Sequence, residues 1–191
     1  MTETMRIPVF PLPVFLLPGG MTRLNIFEPR YLKMVKVASQ GDGFVIQTTG
    51  TGGALSEFGS WVQITNFGQS QNGLLQIDVL CKGLVLLSQA ARDPDQLLWA
   101  QASPVAHWPA ELTGSASQLF AASLQQCLQQ NEQLSSLYSA PLFEQESWVV
   151  ARWLELAPIA NSYKVLFYLP DSYPKAVALL SEILLNKTDA Q

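Results

Sequence analysis

The chain has 191 residues, of which 48% are hydrophobic and 14% are charged, so it can bury a substantial core and is not a disordered protein. Its formal net charge is −4, with 11 basic and 15 acidic side chains, and neither half has the basic excess that binding to nucleic-acid phosphates requires. No apolar run reaches the ~20 uninterrupted residues that cross a bilayer, so we expect no transmembrane helix and no membrane partner.

Prolines predict the first two strands and the first helix. Proline fixes its own φ and biases the residue before it toward extended structure, so residues 7–12 and 23–27 are predicted strands, joined by a bend at 18–20. Pro29 suits the first position of a helix, which predicts a helix over 30–38. The predicted order is therefore strand, loop, strand, helix.

The next part of the chain, residues 44–108, has the period of two that is typical of strands. Residues 61–69 and 74–81 flank Asn72-Gly73, a dipeptide that favours tight hairpin turns because both residues tolerate positive φ. This spacing predicts a β-hairpin. The other predicted strands are 44–49, 84–87 and 97–105.

From Trp108-Pro109 onward the apolar period changes to 3.6 residues. Residues 115–138 place apolar side chains on one face and glutamines on the other, which predicts a long amphipathic helix. Residues 148–156 are apolar nearly all round, so the next helix is expected at the centre of a bundle. Asn161 and Ser172 suit the N-caps of two later helices.

The N-terminal segment resembles a known family. The sequences FPLP at 10–13, LPG at 17–19 and IFEPRY at 26–31 resemble, in order and spacing, the start of the N-terminal substrate-binding domain of Lon proteases, which also occurs in stand-alone proteins. Phe58-Gly59 and the strand that ends at Gly83 are similar to later parts of the family. The resemblance covers most of the chain and is strongest near its beginning.

The change of period predicts an α+β fold with two domains, a mainly β domain over 1–108 and a helical domain over 109–191. The resemblance implies the same division: an N-terminal PUA-like β pseudobarrel with one short helix, followed by a C-terminal helical bundle. It also implies a non-enzymatic, ATP-independent module that binds exposed apolar or unfolded polypeptide, in the service of a protease or chaperone system. Lon proteases cleave with separate ATPase and protease modules, so we expect no peptide cleavage here.

The candidate binding residues lie in the loop between the first two strands and at the first helix. Phe15, Leu16 and Leu17 form an apolar patch for peptide side chains if they are exposed, and they plug the end of the barrel if the loop folds back. Arg30 either pairs locally with Glu28 or anchors a contact between the domains. The sequence leaves both alternatives open at each position.

Residues that carry catalysis or bind cofactors are sparse in this sequence. His107 is the only histidine, which excludes a two-histidine metal site, and its place beside Trp108 favours a packing or hinge role. The glycine-rich segment 49–56 lacks the Gly-Lys-Ser/Thr ending of a phosphate-binding loop. Glu144 and Glu146 suit a helix start, where the dipole favours acidic groups. We predict no catalytic residue, no metal and no cofactor.

The two cysteines indicate the redox environment in which the protein is expected to work. Cys81 and Cys127 form neither a metal-binding pattern nor a disulfide framework, so buried thiols in a reducing cytoplasm are expected. The proline-rich N-terminus is unlike the apolar stretch of a secretory signal.

Two other functions stay open. The glutamine-rich, acidic helical half is suited to docking on a partner protein or to self-association, which would make the protein an adaptor. A small-molecule site between the two domains is a third interpretation, because clefts between domains are common ligand sites. The sequence leaves the oligomeric state open.

Overall fold

The structure, a computed structural model, describes residues 4–109 and 117–188. The strands are β1 (Met5–Leu12), β2 (Met21–Ile26), β3 (Phe44–Thr48), β4 (Phe58–Gln69), β5 (Leu75–Arg92) and β6 (Leu98–Val105). The helices are α1 (Pro29–Ala38), α2 (Ser117–Gln130), α3 (Glu132–Ser135), α4 (Glu146–Leu156), α5 (Asn161–Lys164) and α6 (Tyr173–Thr188). Short 3-10 turns occupy Thr51–Gly53 and Val165–Tyr168. The predicted α+β class is confirmed, whereas the PUA-like pseudobarrel and the helical bundle stay predictions.

The strands form one mixed sheet in the order β2-β5-β4-β3-β1-β6, in which only β1 and β3 run parallel among the described strands. Strand β5 also pairs with β6, so β5, β4, β3, β1 and β6 close into a ring. Among the strands that the structure describes, β2 pairs with β5 alone and lies outside that ring. This asymmetry leaves β2 at the edge of the sheet.

Strand β5 is longer than the sequence predicts. Cys81 pairs with Val62 and Gly83 pairs with Trp61, which leaves Lys82 as the extra residue of a β-bulge. The sequence predicts one strand that ends at Cys81 and another that begins after Gly83. A bulge bends a strand without ending it, so one strand of 18 residues pairs with β2, β4 and β6 in turn.

The predicted hairpin is confirmed between β4 and β5, where Gln69 pairs with Leu75. Its turn is wider than the two-residue type expected from Asn72-Gly73. The Ser70 N–H donates to the Leu74 carbonyl at 3.0 Å across the loop, and Gly73 has φ +77° while Asn72 does not enter the left-handed region. The glycine therefore supplies the one backbone conformation that the turn needs.

Helix α1 begins at Pro29, as expected, and buries Tyr31, Met34, Val35 and Ala38 on its inner face. The predicted helix over 115–138 is instead two helices, because the chain breaks at Asn131. The Asn131 side chain accepts a hydrogen bond from the Leu134 N–H at 3.1 Å and so caps α3. Residues 115 and 116 lie outside the described part of the chain.

The two later caps differ from the prediction. Ala160, not Asn161, occupies the N-cap position of α5. Ser172 directly precedes α6, but its hydroxyl donates to the Leu169 carbonyl at 2.6 Å and accepts from the Trp108 indole at 3.1 Å. This serine therefore ties the helical half to the end of the strand region.

One apolar core includes both halves of the chain. It joins strand residues such as Ile46 and Val79 to helix residues such as Leu124, Val150 and Leu180, which are all buried. A smaller apolar cluster lies elsewhere on the sheet and contains Ile7, Val9, Val45, Val85, Ala100 and Ala102. The boundary at residues 108 and 109 stays a prediction, and the strands and helices on its two sides share a core. In the described part of the chain, no helix has the length and hydropathy of a bilayer-spanning segment.

Candidate polypeptide-binding site

A cleft of about 240 Å³ lies between the β1–β2 loop and the helical half; we call it the main cleft. Its strand side is formed by Pro13, Val14, Phe15, Leu16, Met21 and Thr22. Its helical side is formed by Leu128, Leu134, Tyr138, Arg152, Glu155, Leu156, Asn161 and Lys164. The walls therefore combine apolar side chains with polar and charged groups that converge from α4 and α5.

A second depression of about 410 Å³ runs beside strand β2; we call it the β2 groove. It is lined by Thr22, Arg23, Asn25 and Gln76 on the sheet and by Asn131, Gln133, Leu134 and Leu137 opposite. Thr22 and Leu134 line both depressions. The main cleft and the β2 groove thus adjoin at these two residues and form one surface along the edge of the sheet.

The two interpretations of Phe15, Leu16 and Leu17 differ in the exposure that they expect for these side chains. All three are buried, with exposures of 5%, 3% and 0%, so they do not form an exposed patch. The loop folds back because the helical half offers it an apolar surface, which the sequence analysis did not consider. The interpretation as a plug agrees with this burial, and Phe15 and Leu16 reach the cleft only as part of its wall.

Buried hydroxyl groups hold the β1–β2 loop from the sheet side. Thr48 donates to the Val14 carbonyl at 2.7 Å, and Ser60 donates to the Leu16 carbonyl at 2.6 Å. The Tyr168 hydroxyl lies 2.7 Å from the Thr48 oxygen, whose proton is already engaged, so Tyr168 donates to it. Burial raises the pKa of Tyr168, which keeps the phenol protonated in this network.

A buried ion pair holds the same loop from the helical side. Arg152 is 2% exposed and forms two hydrogen bonds to the Glu155 carboxylate, at 2.8 and 2.7 Å. Its Nη2 also donates to the carbonyls of Leu17 and Pro18, at 3.0 and 3.2 Å. Glu155 Oε1 accepts the Leu17 N–H at 2.8 Å. The pair therefore satisfies three backbone groups of the loop.

This clamp explains the Gly-Gly pair of the sequence. Gly19 has φ +82°, a conformation that side chains rarely adopt. A Cβ on Gly20 would lie 2.2 Å from Glu155 Oε1, too close for any real contact. The two glycines therefore form the bend that the sequence predicts and also allow the loop to approach the ion pair.

Burial controls the electrostatics of the main cleft. Burial raises the pKa of Glu155 above its usual value, and the Arg152 charge opposes that rise. Burial also lowers the pKa of Lys164, whose ammonium donates to the Glu155 backbone carbonyl at 2.7 Å. Tyr138 accepts the Met21 N–H at 2.9 Å, and burial raises its pKa to about 12. The polar groups here thus serve mainly to hold the walls together.

Arg30 is placed away from this site. Its guanidinium forms a 2.6 Å ion pair with Glu28 and stacks over the Tyr31 ring at 4.8 Å. The interpretation as a local pair agrees with these contacts. The arginine that joins the two halves is Arg152, which the sequence analysis missed. The sequence feature that points to Arg152 is a pair of opposite charges, Arg152 and Glu155, which lie three residues apart in a mostly apolar helix.

The other singled-out residues have packing roles. The His107 Nε2 donates to the Phe167 carbonyl at 2.9 Å, its ring stacks on Trp108 at 4.5 Å, and burial lowers its pKa. Glu146, in the first turn of α4, accepts a hydrogen bond from the Tyr173 hydroxyl at 2.6 Å.

Cys81 is a buried free thiol whose pKa burial raises to about 12, and Cys127 is free and half-buried. Within residues 4–109 and 117–188 no group of three or more His, Cys, Asp and Glu is placed to hold a metal ion.

Two solved Lon N-terminal domain structures are similar to this fold. A Lon N-terminal domain protein from Xanthomonas campestris matches with a TM-score of 0.72 and 23% identity, covering 93% of this chain and 98% of that one. The N-terminal domain of the Lon protease from Mycobacterium avium complex matches with a TM-score of 0.64 and 16% identity, covering 93% and 97%. A search of curated proteins found no match.

The fold is therefore similar to that of Lon N-terminal domains. The family model of the ATP-dependent protease La (LON) substrate-binding domain matches residues 6–183. The chain belongs to this family, which is a non-catalytic, substrate-binding domain. The family resemblance predicted from the N-terminal sequence is thereby confirmed.

Proposed function

We propose that this protein is a non-enzymatic module that binds exposed apolar or unfolded polypeptide along the main cleft and the β2 groove. Membership of a substrate-binding family supports a polypeptide ligand. The observation that carries the proposal is the joined surface, because it combines apolar side chains with accessible polar groups at a sheet edge. In this proposal binding needs no cofactor or ATP, takes place in the cytoplasm, and serves a protease or chaperone system.

Recognition of this kind is weak and broad. Burial of a few side chains at ~25 cal/mol per Å² gives a modest gross attraction, from which the cost of ordering a flexible chain is subtracted. The main cleft accommodates few side chains at once, at about 240 Å³. We expect micromolar affinities and little dependence on the sequence of the bound segment.

The test is fluorescence anisotropy with labelled, reduced and S-alkylated α-lactalbumin, a permanently unfolded polypeptide, and with its folded parent as competitor. Saturable binding that the folded parent does not displace is expected. Leu134→Arg should weaken it at least fivefold, because Leu134 lines both depressions. Leu119→Arg is the matched control, since Leu119 is 57% exposed on α2 and lines neither. Absence of binding at high micromolar protein, or equal effects of the two variants, would count against the proposal.

One observation favours the adaptor as a second candidate. Tyr163, Leu166 and Leu169 recur every three residues and are 50%, 50% and 41% exposed, which makes an apolar strip on the helical half. Size-exclusion chromatography with light scattering on the full chain tests self-association through it. A dimer that Leu166→Asp converts to monomer would support the adaptor, and a monomer at all concentrations would remove that support.

A further inference from the structure

Strand β2 has a free edge along its whole length. Each strand of the ring of β5, β4, β3, β1 and β6 has two neighbours, although β4 has only β5 beside it over residues 63–69, and among the described strands only β2 has a single neighbour throughout. A free edge presents unpaired backbone N–H and C=O groups, and proteins usually cover such an edge or blunt it. In this chain the edge instead faces the β2 groove.

The hydrogen bonds around β2 show which of its backbone groups face outward. Gly20 accepts from the Cys81 N–H at 2.8 Å, so its carbonyl faces β5. Met21 donates in the opposite direction, to the Tyr138 hydroxyl. Because these directions alternate along an antiparallel strand, Arg23 and Asn25 also direct their N–H and C=O groups away from β5. Those four groups make no hydrogen bond with any described residue.

The side chains near this edge leave its backbone accessible. Arg23 is held by Asp78 on β5 through bonds of 2.6 and 2.9 Å. Asn25 is held by Gln76, also on β5, at 3.0 Å. Both side chains therefore associate with the neighbouring strand instead of crossing the groove. The opposite wall contains two leucines, Leu134 and Leu137, that offer apolar contact.

We propose that an extended segment of an unfolded polypeptide binds by adding a strand to the β2 edge, with its backbone paired to Arg23 and Asn25. This inference rests on the proposed function and specifies its binding mode. Backbone pairing gives affinity without regard to sequence, and alternate side chains of the added strand face Leu134 and Leu137. Strand addition also explains why folded proteins are not bound, because their backbone groups are already paired.

Two matched variants at one position test the backbone pairing. Asn25→Pro removes an outward N–H, which an edge strand tolerates because no bond to β5 is lost. Asn25→Ala removes only the side chain and keeps the N–H. With labelled, S-alkylated α-lactalbumin as the probe, Asn25→Pro should raise Kd at least tenfold and Asn25→Ala less than twofold, while both melt near the wild-type temperature.

Amide hydrogen exchange of the wild-type protein, followed by NMR, keeps the test valid if the proline variant fails to fold. Saturation with the same unfolded probe should slow exchange of the Arg23 and Asn25 amides at least tenfold. Binding that leaves both amides unprotected would overturn strand addition and leave the proposed function standing. No binding of the probe at all would overturn both.

Discussion

Replacing Arg152 by methionine measures what the buried clamp contributes to stability. Arg152 neutralises Glu155 and donates to two loop carbonyls, and both members of the pair have side chains less than one-tenth exposed, at 2% and 9%. Removal of one partner from a buried ion pair costs about 3–5 kcal/mol. We therefore expect Arg152→Met to lower the free energy of unfolding by that amount at pH 7, measured by urea denaturation.

The protonation of Glu155 sets both the size and the pH dependence of this loss of stability. Without Arg152, a buried Glu155 carboxylate avoids its charge by taking up a proton. At pH 7 this protonation costs about 3.7 kcal/mol of folding free energy. In the unfolded chain the pKa of glutamic acid has its usual value of about 4.3, and each pH unit above it is worth about 1.36 kcal/mol. At pH 5 the same cost is about 1 kcal/mol. The folded-state pKa is raised, so stability is retained below the unfolded pKa and falls as the pH rises above it.

The loss is therefore expected to shrink by up to about 2.7 kcal/mol between pH 7 and pH 5, reduced by what the wild type itself loses over this range because burial already raises its Glu155 pKa. Glu155→Gln keeps an acceptor for the Leu17 N–H but has no charge to bury. The double variant Arg152→Met, Glu155→Gln should accordingly lose less stability than Arg152→Met at pH 7 and show no such pH dependence. A loss below about 1 kcal/mol for Arg152→Met, or one that is equal at both pH values, would refute this reasoning.

Three other substitutions test the loop and the acid limit of stability. Leu16→Asp places a carboxylate at a 3% exposed position, so the melting temperature should fall sharply; an unchanged melting temperature would show that Leu16 is not buried. Gly20→Ala should cost about 1–3 kcal/mol in urea denaturation, since its Cβ would meet a carboxylate oxygen, whereas Gly41→Ala, whose Cβ would have 3.5 Å to the nearest atom, should be near neutral. Lys33 lowers the pKa of Asp93 to about 2, so this carboxylate stabilises the fold above its unfolded pKa and loses that effect as the pH falls toward about 2. Asp93→Asn should flatten the acid unfolding curve over that range, and a curve identical to wild type would contradict the pKa.

The parts of the fold that the sequence predicts well depend on local chemistry. Pro29 predicts the start of α1, and Asn72-Gly73 predicts the hairpin, because each acts through its own backbone preferences. The β5 strand is predicted as two pieces, because Gly83 looks like a break when the bulge at Lys82 is unknown. A bulge is defined by how two strands pair, so the sequence of one strand alone does not predict it.

The site depends on contacts between distant parts of the chain, and the spacing of apolar residues does not predict these contacts. The apolar residues Phe15 and Leu17 are compatible with a patch or a plug, and only the position of the helical half decides between them. Arg152 and Glu155 interrupt an apolar helix, which indicates that both are buried and paired, but not that their partner is the loop between the first two strands. The family resemblance predicts the domain type and leaves these contacts undetermined.

The shared core determines how the binding surface can be located. The β1–β2 loop is held by Thr48 and Ser60 from the sheet and by Arg152 and Glu155 from α4, so each half completes the other. Removal of residues 109–191 would expose the apolar side of this core and leave the loop without its clamp. A truncated chain that failed to bind would therefore report unfolding and not the location of the site. Point variants at Leu134 and Asn25 avoid this problem because both residues line the β2 groove and neither belongs to the clamp.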